Sequence, residues 1–391
     1  MTVNSPGQGG GSDVVVAQDI DTPYLLVDPA KLARNISRLQ DRLAVLGTGL
    51  RPHLKTAKSL EVAELLFHGG RGPIAVSTLR EAEAFAEAGY TDILYAVGLA
   101  LHRTERVIAL HERGVDLAVL LDTVEQATAV AQASRRAGIR IPAFIEVDCD
   151  GHRSGVVPGD PLARQIAWTL EEGGAELRGV LAHAGESYHC RSESELIAAA
   201  ENERRTTLRV AEDLRASGLR CPEVSVGSTP TAHFARDLTG VTEVRAGNYV
   251  FFDLVMAGIG VCSLDDLALS VVTTVIGHRP DRGWIVTDGG WTATSRDRGT
   301  ADQPVDQGYG VVTDLEGTIY PDLLMTEASQ EHGILSQRDG SSVGLPDIAL
   351  GSKVRILPNH ACATAGQHDR YHVLQSGTIA IGAVWPRIQG W

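Results

Sequence analysis

No stretch of the 391-residue chain strings together the ~20 apolar residues that a membrane-spanning helix needs. The opening "MTVNSPGQGGGSDVV" lacks both the basic start and the apolar core of a secretory signal, so a cytoplasmic location is the expectation. Lysine and arginine form no block that would offset a formal charge of −14. Nucleic acid and anionic membrane are therefore poor partners, and small molecules are the expected ones. Cysteines number five, an odd count with irregular spacing, which excludes a disulfide framework. Beyond an alternation of strand and helix there is no internal repeat.

What is present is enough to bury a large core, with 43% hydrophobic and 21% charged residues. Residues 1–18, rich in Gly, Ser and Gln, are expected to be a disordered tail, with order beginning near "TPYLLVD". Eight short apolar runs follow, at 49–55, 73–77, 92–96, 116–121, 142–148, 177–183, 223–227 and 243–249, separated by amphipathic stretches such as "TLREAEAFAEAG". That count predicts a (β/α)8 barrel over 19–262, with an open doubly wound sheet as the alternative. Beyond about residue 265, runs such as "LALSVVTTVIG" and "KVRILPN" alternate without helices between them. They predict an antiparallel β domain over 263–391, which the first strand, 22–27, is a candidate to join.

In a barrel the chemistry sits where the strands end. The first run, within "RPHLKTAKS", ends at Lys55. Partial burial, with Arg51 and Lys58 as neighbouring cations, would lower its pKa and free an amine for imine chemistry. The plain alternative is that all three cations are solvated surface charges. The seventh run leads into "GSTPTAH", where Gly227, Ser228 and Thr229 offer backbone N–H groups and hydroxyls to an anion at a helix start. A capped helix start with no ligand would read the same way. The eighth run leads into Gly247, Asn248 and Tyr249. Two adjacent loops able to hold a phosphate, next to a lysine on the neighbouring strand, match what pyridoxal 5'-phosphate (PLP) requires. His152 and Arg153 after the fifth run, and His183 and Tyr188 after the sixth, complete the rim. Arg153 and Arg245 are candidates to tune the cofactor's ring, or alternatively to hold a loop through a carboxylate.

In the β domain, "PNHACATAGQHD" places His360 and Cys362 two residues apart, on one face of an extended strand. Imidazole and thiolate suit Zn²⁺, with Mn or Co as alternatives. A third protein ligand, or oxygens of substrate and water, would complete the site.

Together "RPHLKTAKS", "GSTPT", "RAGNYVFFD", "QEHG" and "PNHACAT" resemble the D-serine dehydratase and D-threonine aldolase group, PLP enzymes of the alanine racemase fold. The resemblance covers nearly the whole chain after about Asp19. It implies Lys55 as the Schiff-base lysine, Gly227, Ser228 and Thr229 as the phosphate turn, and Asn248 and Tyr249 in the second phosphate loop. It also implies Arg153 near the phenolic oxygen, Arg245 near the pyridine nitrogen, Tyr188 as a cofactor contact, and His360 with Cys362 as the metal pair. A homodimer is implied as well. The implied reaction is metal-assisted loss of water from a D-3-hydroxy amino acid, D-serine or D-threo-3-hydroxyaspartate, giving a 2-oxo acid and ammonia. Retro-aldol cleavage to glycine and an aldehyde is the alternative, ahead of racemisation or non-catalytic PLP binding. Many members read "KTHK" where this chain has Ala57 in "KTAK", a departure expected to bear on the substrate pocket or the proton donor.

Overall fold

Asp28 starts the first helix by accepting the backbone N–H groups of Ala30 and Lys31 at 2.9 and 3.1 Å. Pro29 then occupies the first turn, where its missing N–H costs nothing, and Leu32, Ile36, Leu39 and Leu43 bury one face of Pro29–Val45. Most of the intervening helices repeat this logic and lay an apolar stripe against a parallel strand. The computed structural model describes residues 15–391.

The eight expected runs are the eight strands of one parallel sheet: β2 (Gly49–Pro52), β3 (Ile74–Val76), β4 (Asp92–Gly98), β5 (Asp116–Leu121), β6 (Pro142–Val147), β7 (Glu176–Ala182), β8 (Glu223–Val226) and β9 (Glu243–Ala246). β2 pairs with β9, Arg51 opposite Arg245. His53 bridges to Ala75, and the Leu54 N–H donates to the Ala75 carbonyl at 2.8 Å. The sheet therefore closes into a (β/α)8 barrel, and the open-sheet alternative falls.

The barrel interior is divided. Ala75, Leu94, Leu120, Phe144 and Leu181 fill one side as an apolar cluster. Arg51, Ser225 and Arg245, all buried, form a polar cluster with the half-buried Glu243 on the other. Arg51 holds Glu243 at 2.7 Å and Asp92 at 2.6 Å, and Glu243 accepts the Ser225 hydroxyl at 2.5 Å. Asp92 and Glu243 begin their strands, so this ion cluster lies at the end of the barrel remote from the strand exits.

The second unit is a nine-stranded sheet: β10 (Leu269–Arg279), β11 (Trp284–Thr287), β12 (Gly310–Thr313), β13 (Ile319–Ala328), β14 (Gly333–Gln337), β15 (Lys353–Pro358), β16 (Arg370–Leu374) and β17 (Ile381–Pro386), plus β1 (Tyr24–Val27). β1 runs antiparallel to β10 and parallel to β16, so the first strand lies in this sheet although the chain then enters the barrel. The expected tail reaches too far along the chain. Val16 pairs with Ala380, Ala17 is fully buried, and the Tyr24 hydroxyl donates to the Ala17 carbonyl at 2.5 Å. Residues 1–14 of that expectation lie outside the described residues. No helix among the described residues is long and apolar enough to cross a membrane.

Candidate active site

A cavity of about 520 Å³ opens at the strand exits and is closed on one side by the β domain. Its size is that of a pocket for a small ligand. Lys55 lies in its wall, just past the end of β2. Burial lowers the pKa of its amine, and the guanidinium groups of Arg153 and Arg245 lower it further, against Cys362 and Glu81. The expected neighbours Arg51 and Lys58 play no such part. Arg51 is spent on Asp92 and Glu243 at the far end, and Lys58 turns away to Glu81 at 3.0 Å. His53 lines the cavity beside Lys55, and burial together with Lys55 holds its imidazole neutral.

The turn after β8 fits a phosphate in a specific way. Gly227 has φ +141°, and a Cβ there would fall 2.0 Å from the Arg245 carbonyl oxygen, so only glycine permits the approach of the two strand exits. Ser228 lines the cavity, but its polar groups are committed. Its N–H donates to Thr231 Oγ1 at 3.0 Å, and its Oγ lies 2.8 Å from that of Ser187. The Thr229 hydroxyl is buried and has no partner among the described residues. An unpaired buried hydroxyl is costly unless a ligand completes it.

In the neighbouring loop a Cβ on Gly247 would lie 2.7 Å from the His53 carbonyl oxygen, and the Asn248 amide donates to Asp253 at 2.5 Å. Tyr249 departs from expectation. Its ring is fully buried and does not line the cavity, and its hydroxyl has no partner among the described residues.

Arg245 points inward. Its guanidinium donates to Ser225 Oγ and to the Ala182 carbonyl, both at 2.5 Å, and burial lowers its pKa to about 10. Arg153 reaches Glu146 at 3.1 Å while still lining the cavity. Tyr188 and His183 pack 6.2 Å apart, ring centre to ring centre. Burial keeps the Tyr188 phenol protonated, and burial with Lys55 nearby keeps His183 neutral. His152 sits at the mouth, bound to Glu186 at 2.9 Å.

His360 and Cys362 both line the cavity, but not from one face of a strand. β15 ends at Pro358, His360 is the last extended residue, and Cys362 lies in the first turn of Ala361–Ala365. The strand-to-helix turn makes them converge. His360 Nδ1 is paired with Asp297 at 2.6 Å, which leaves the opposite ring nitrogen to face Cys362. Burial disfavours the imidazolium, yet the thiolate and Asp297 outweigh it and raise the pKa of His360. Burial likewise opposes the thiolate, and His360 and Lys55 outweigh it. A polarised His/Cys pair with a carboxylate behind the imidazole is a donor set that fits a divalent cation. Among the described residues no group of three or more His, Cys, Asp or Glu side chains converges to complete it.

Asp297, Asp253 and Thr56 escaped the sequence reading. Asp253 accepts from Asn248 and from the Ala361 N–H at 2.9 Å, tying the Gly247–Asn248 loop to the His360/Cys362 segment. Asp297 is 63 residues from His360 in the sequence and carries no spacing signal. One signal for Lys55 went unused: the chain has four lysines, Lys31, Lys55, Lys58 and Lys353, and two fall in "RPHLKTAKS". Ala57 also proves different from expectation. It is buried in the core, its carbonyl accepts the Tyr371 hydroxyl at 2.6 Å, and it does not line the cavity.

Residues 27–255 match the family model described as alanine racemase, N-terminal domain, and residues 268–374 match a putative serine dehydratase domain. The D-threo-3-hydroxyaspartate dehydratase of Delftia sp. (strain HT23) is 52% identical over 95% of this chain and 98% of its own. The chain belongs to the D-serine dehydratase family of the alanine racemase fold. This is a fold family of PLP-dependent enzymes. The solved structure of the Delftia enzyme superposes with a TM-score of 0.94, covering 96% of this chain and all of that one at 50% identity. A D-serine dehydratase of Dictyostelium discoideum is 29% identical over 94% of this chain and 97% of its own. An Arthrobacter D-threonine aldolase is 28% identical over 92% of this chain and 90% of its own. D-threo-3-hydroxyaspartate dehydratase has also been solved as a histidine-to-alanine mutant and as a cysteine-to-alanine mutant in the metal-free form, each 50% identical to this chain.

Proposed function

We propose that this protein is a PLP- and divalent-metal-dependent dehydratase of D-3-hydroxy amino acids, with D-threo-3-hydroxyaspartate as the first substrate and D-serine as the second. The observation that carries the reading is the convergence of Lys55 with the His360/Cys362 pair on one cavity. The pair's two-residue spacing matches that of the histidine and cysteine replaced in the two dehydratase mutants. The 52% identity to a dehydratase, against 28% to an aldolase, places elimination ahead of retro-aldol cleavage.

When bound, PLP accepts the electron pair left at Cα and the cation polarises the β-hydroxyl as a leaving group. Lys55 would hold the cofactor, and its Nζ, when free, would take the Cα proton from one fixed side, which selects the D enantiomer. Its depressed pKa leaves more of that amine free near neutral pH. Arg245, fixed by Ser225 and Ala182, and Arg153, fixed by Glu146, would be the guanidinium groups that tune the cofactor's ring. Thr229, with the Gly227 and Gly247 turns, would hold the phosphate. His360 and Cys362 would hold the cation, for which the imidazole and thiolate favour zinc, with substrate and water oxygens completing its shell. A homodimer and a cytoplasmic location belong to the same reading by family resemblance.

The test is incubation with D-threo-3-hydroxyaspartate, D-serine and D-threonine, with and without chelator. Chelator-sensitive release of 2-oxo acid from the first two supports the reading. No turnover of either overturns it.

A further inference from the structure

Glu203 lies on the longest helix, Glu193–Ala216, and is 1% exposed. A carboxylate this deeply buried is expensive unless its acceptor sites are filled. Here three donors fill them. The N–H groups of Ala184 and Gly227 both reach Oε1 at 2.9 Å, and the Thr231 hydroxyl donates to Oε2 at 2.7 Å. No Lys, Arg or His side chain among the described residues pairs with it.

The bonds continue. Ser228 and Thr231 cap each other, the Ser228 N–H reaching Thr231 Oγ1 at 3.0 Å and the Thr231 N–H reaching Ser228 Oγ at 3.2 Å. Ser228 Oγ lies 2.8 Å from Ser187 Oγ, whose own hydrogen goes to the Ala184 carbonyl at 2.6 Å. The circuit thus returns to Ala184, whose N–H began it: Glu203, Thr231, Ser228, Ser187, Ala184, Glu203. All five residues are at most 2% exposed.

The ring joins the exits of β7 and β8. Ser187 and Tyr188 share the single 3-10 segment Gly185–His189, and the Gly227–Thr229 turn forms the other side. Within that turn the ring absorbs the Gly227 N–H and the polar groups of Ser228, leaving the Thr229 hydroxyl unpaired. We propose that Glu203 is a positioning residue for the phosphate end of the cofactor: through this closed ring it sets the Gly227–Thr229 turn, so that Thr229 rather than the Ser228 hydroxyl presents itself to the phosphate. The inference rests on the PLP reading. Glu203 touches neither substrate nor cofactor and acts only through the residues it holds.

The test compares binding of PLP and of pyridoxal, which lacks the phosphate, to the apoprotein by absorbance titration, with melting temperature and circular dichroism as folding controls. Glu203→Ala is expected to weaken PLP about tenfold or more, because it orphans two buried N–H groups, while pyridoxal moves less than about twofold. Glu203→Gln keeps an oxygen for both N–H groups and gives an amide that can donate to Thr231, so it is expected to restore PLP affinity to within about threefold. Should Glu203→Ala not fold, Ser187→Ala breaks the same ring at a residue outside the cavity and is expected to weaken PLP about threefold with pyridoxal unchanged. Wild-type PLP affinity in the folded variants, equal loss of PLP and pyridoxal, or failure of folded Glu203→Gln to rescue would overturn the inference alone. Absence of PLP binding by the wild-type protein would overturn the cofactor reading and this inference with it.

Discussion

The Thr56 hydroxyl lies 3.2 Å from the Cys362 sulfur, so the residue directly after Lys55 touches one member of the His360/Cys362 pair. The two are 306 positions apart in the chain. The contact ties the Lys55 segment of the barrel to the His360/Cys362 segment of the β domain.

Thr56→Val removes that hydrogen bond and keeps the side chain's shape. Metal affinity, measured by competition with a chromogenic chelator, is expected to fall about tenfold, the lower end of the usual effect of a group behind a ligand. The PLP absorbance band should persist. Unchanged metal affinity would show that the contact does not tune the thiolate.

Asp297→Asn tests the other side of the pair. Asp297 holds His360 by Nδ1 at 2.6 Å, and the amide is a weaker partner that no longer favours one ring orientation. Metal affinity should drop by about 10- to 100-fold, with activity recovered at high metal concentration. Loss that no added metal restores would assign Asp297 a different task.

For the phosphate end, Thr229→Val removes the one hydroxyl of the turn left unpaired. PLP affinity of the apoprotein is expected to fall about tenfold, since a hydrogen bond to a charged oxygen is among the stronger ones. Pyridoxal affinity should barely change.

Strand positions and strand-end chemistry were legible because both are local. Each run carries its own apolar pattern, and a barrel places the end of every run at the same mouth. Strand-end position assigns Lys55, Gly227 and Thr229 to the mouth, and all three line the cavity. What remained hidden depends on packing between distant segments. Tyr249 belongs to the right loop, but its ring is drawn into the core. Arg51 shares a motif with Lys55 yet faces the opposite end of the barrel. The tail residues Val16 and Ala17 look too polar in context to be ordered, and become so by pairing near Ala380. Ala57, the departure from the family motif, is a packing position beneath Tyr371, so substrate preference must be sought in the cavity wall instead.

Below the site, Glu223 gives a pH signature in stability. Burial, and then the nearby charge of Glu243, raise its carboxyl from 4.5 to about 7. The folded chain therefore holds this proton more tightly than the unfolded chain. That contribution to stability is complete below about pH 4.5 and is lost as pH rises through about 7. Glu223→Gln should accordingly stabilise the protein at pH 8 and be nearly neutral at pH 5. Solvent screening of this partly exposed group limits the gain to about 1 kcal/mol. Denaturant midpoints at the two pH values provide the measurement, and an equal shift at both would contradict the assignment.

On the function proposed above, Lys55 and the His360/Cys362 pair together expel the β-hydroxyl rather than break the Cα–Cβ bond. Product analysis after incubation with D-threo-3-hydroxyaspartate and metal tests it most directly. Elimination of water followed by hydrolysis should give oxaloacetate and ammonia in equal amounts, abolished by Lys55→Ala and by chelator. Glycine and glyoxylate in equal amounts, with no ammonia released, would contradict it.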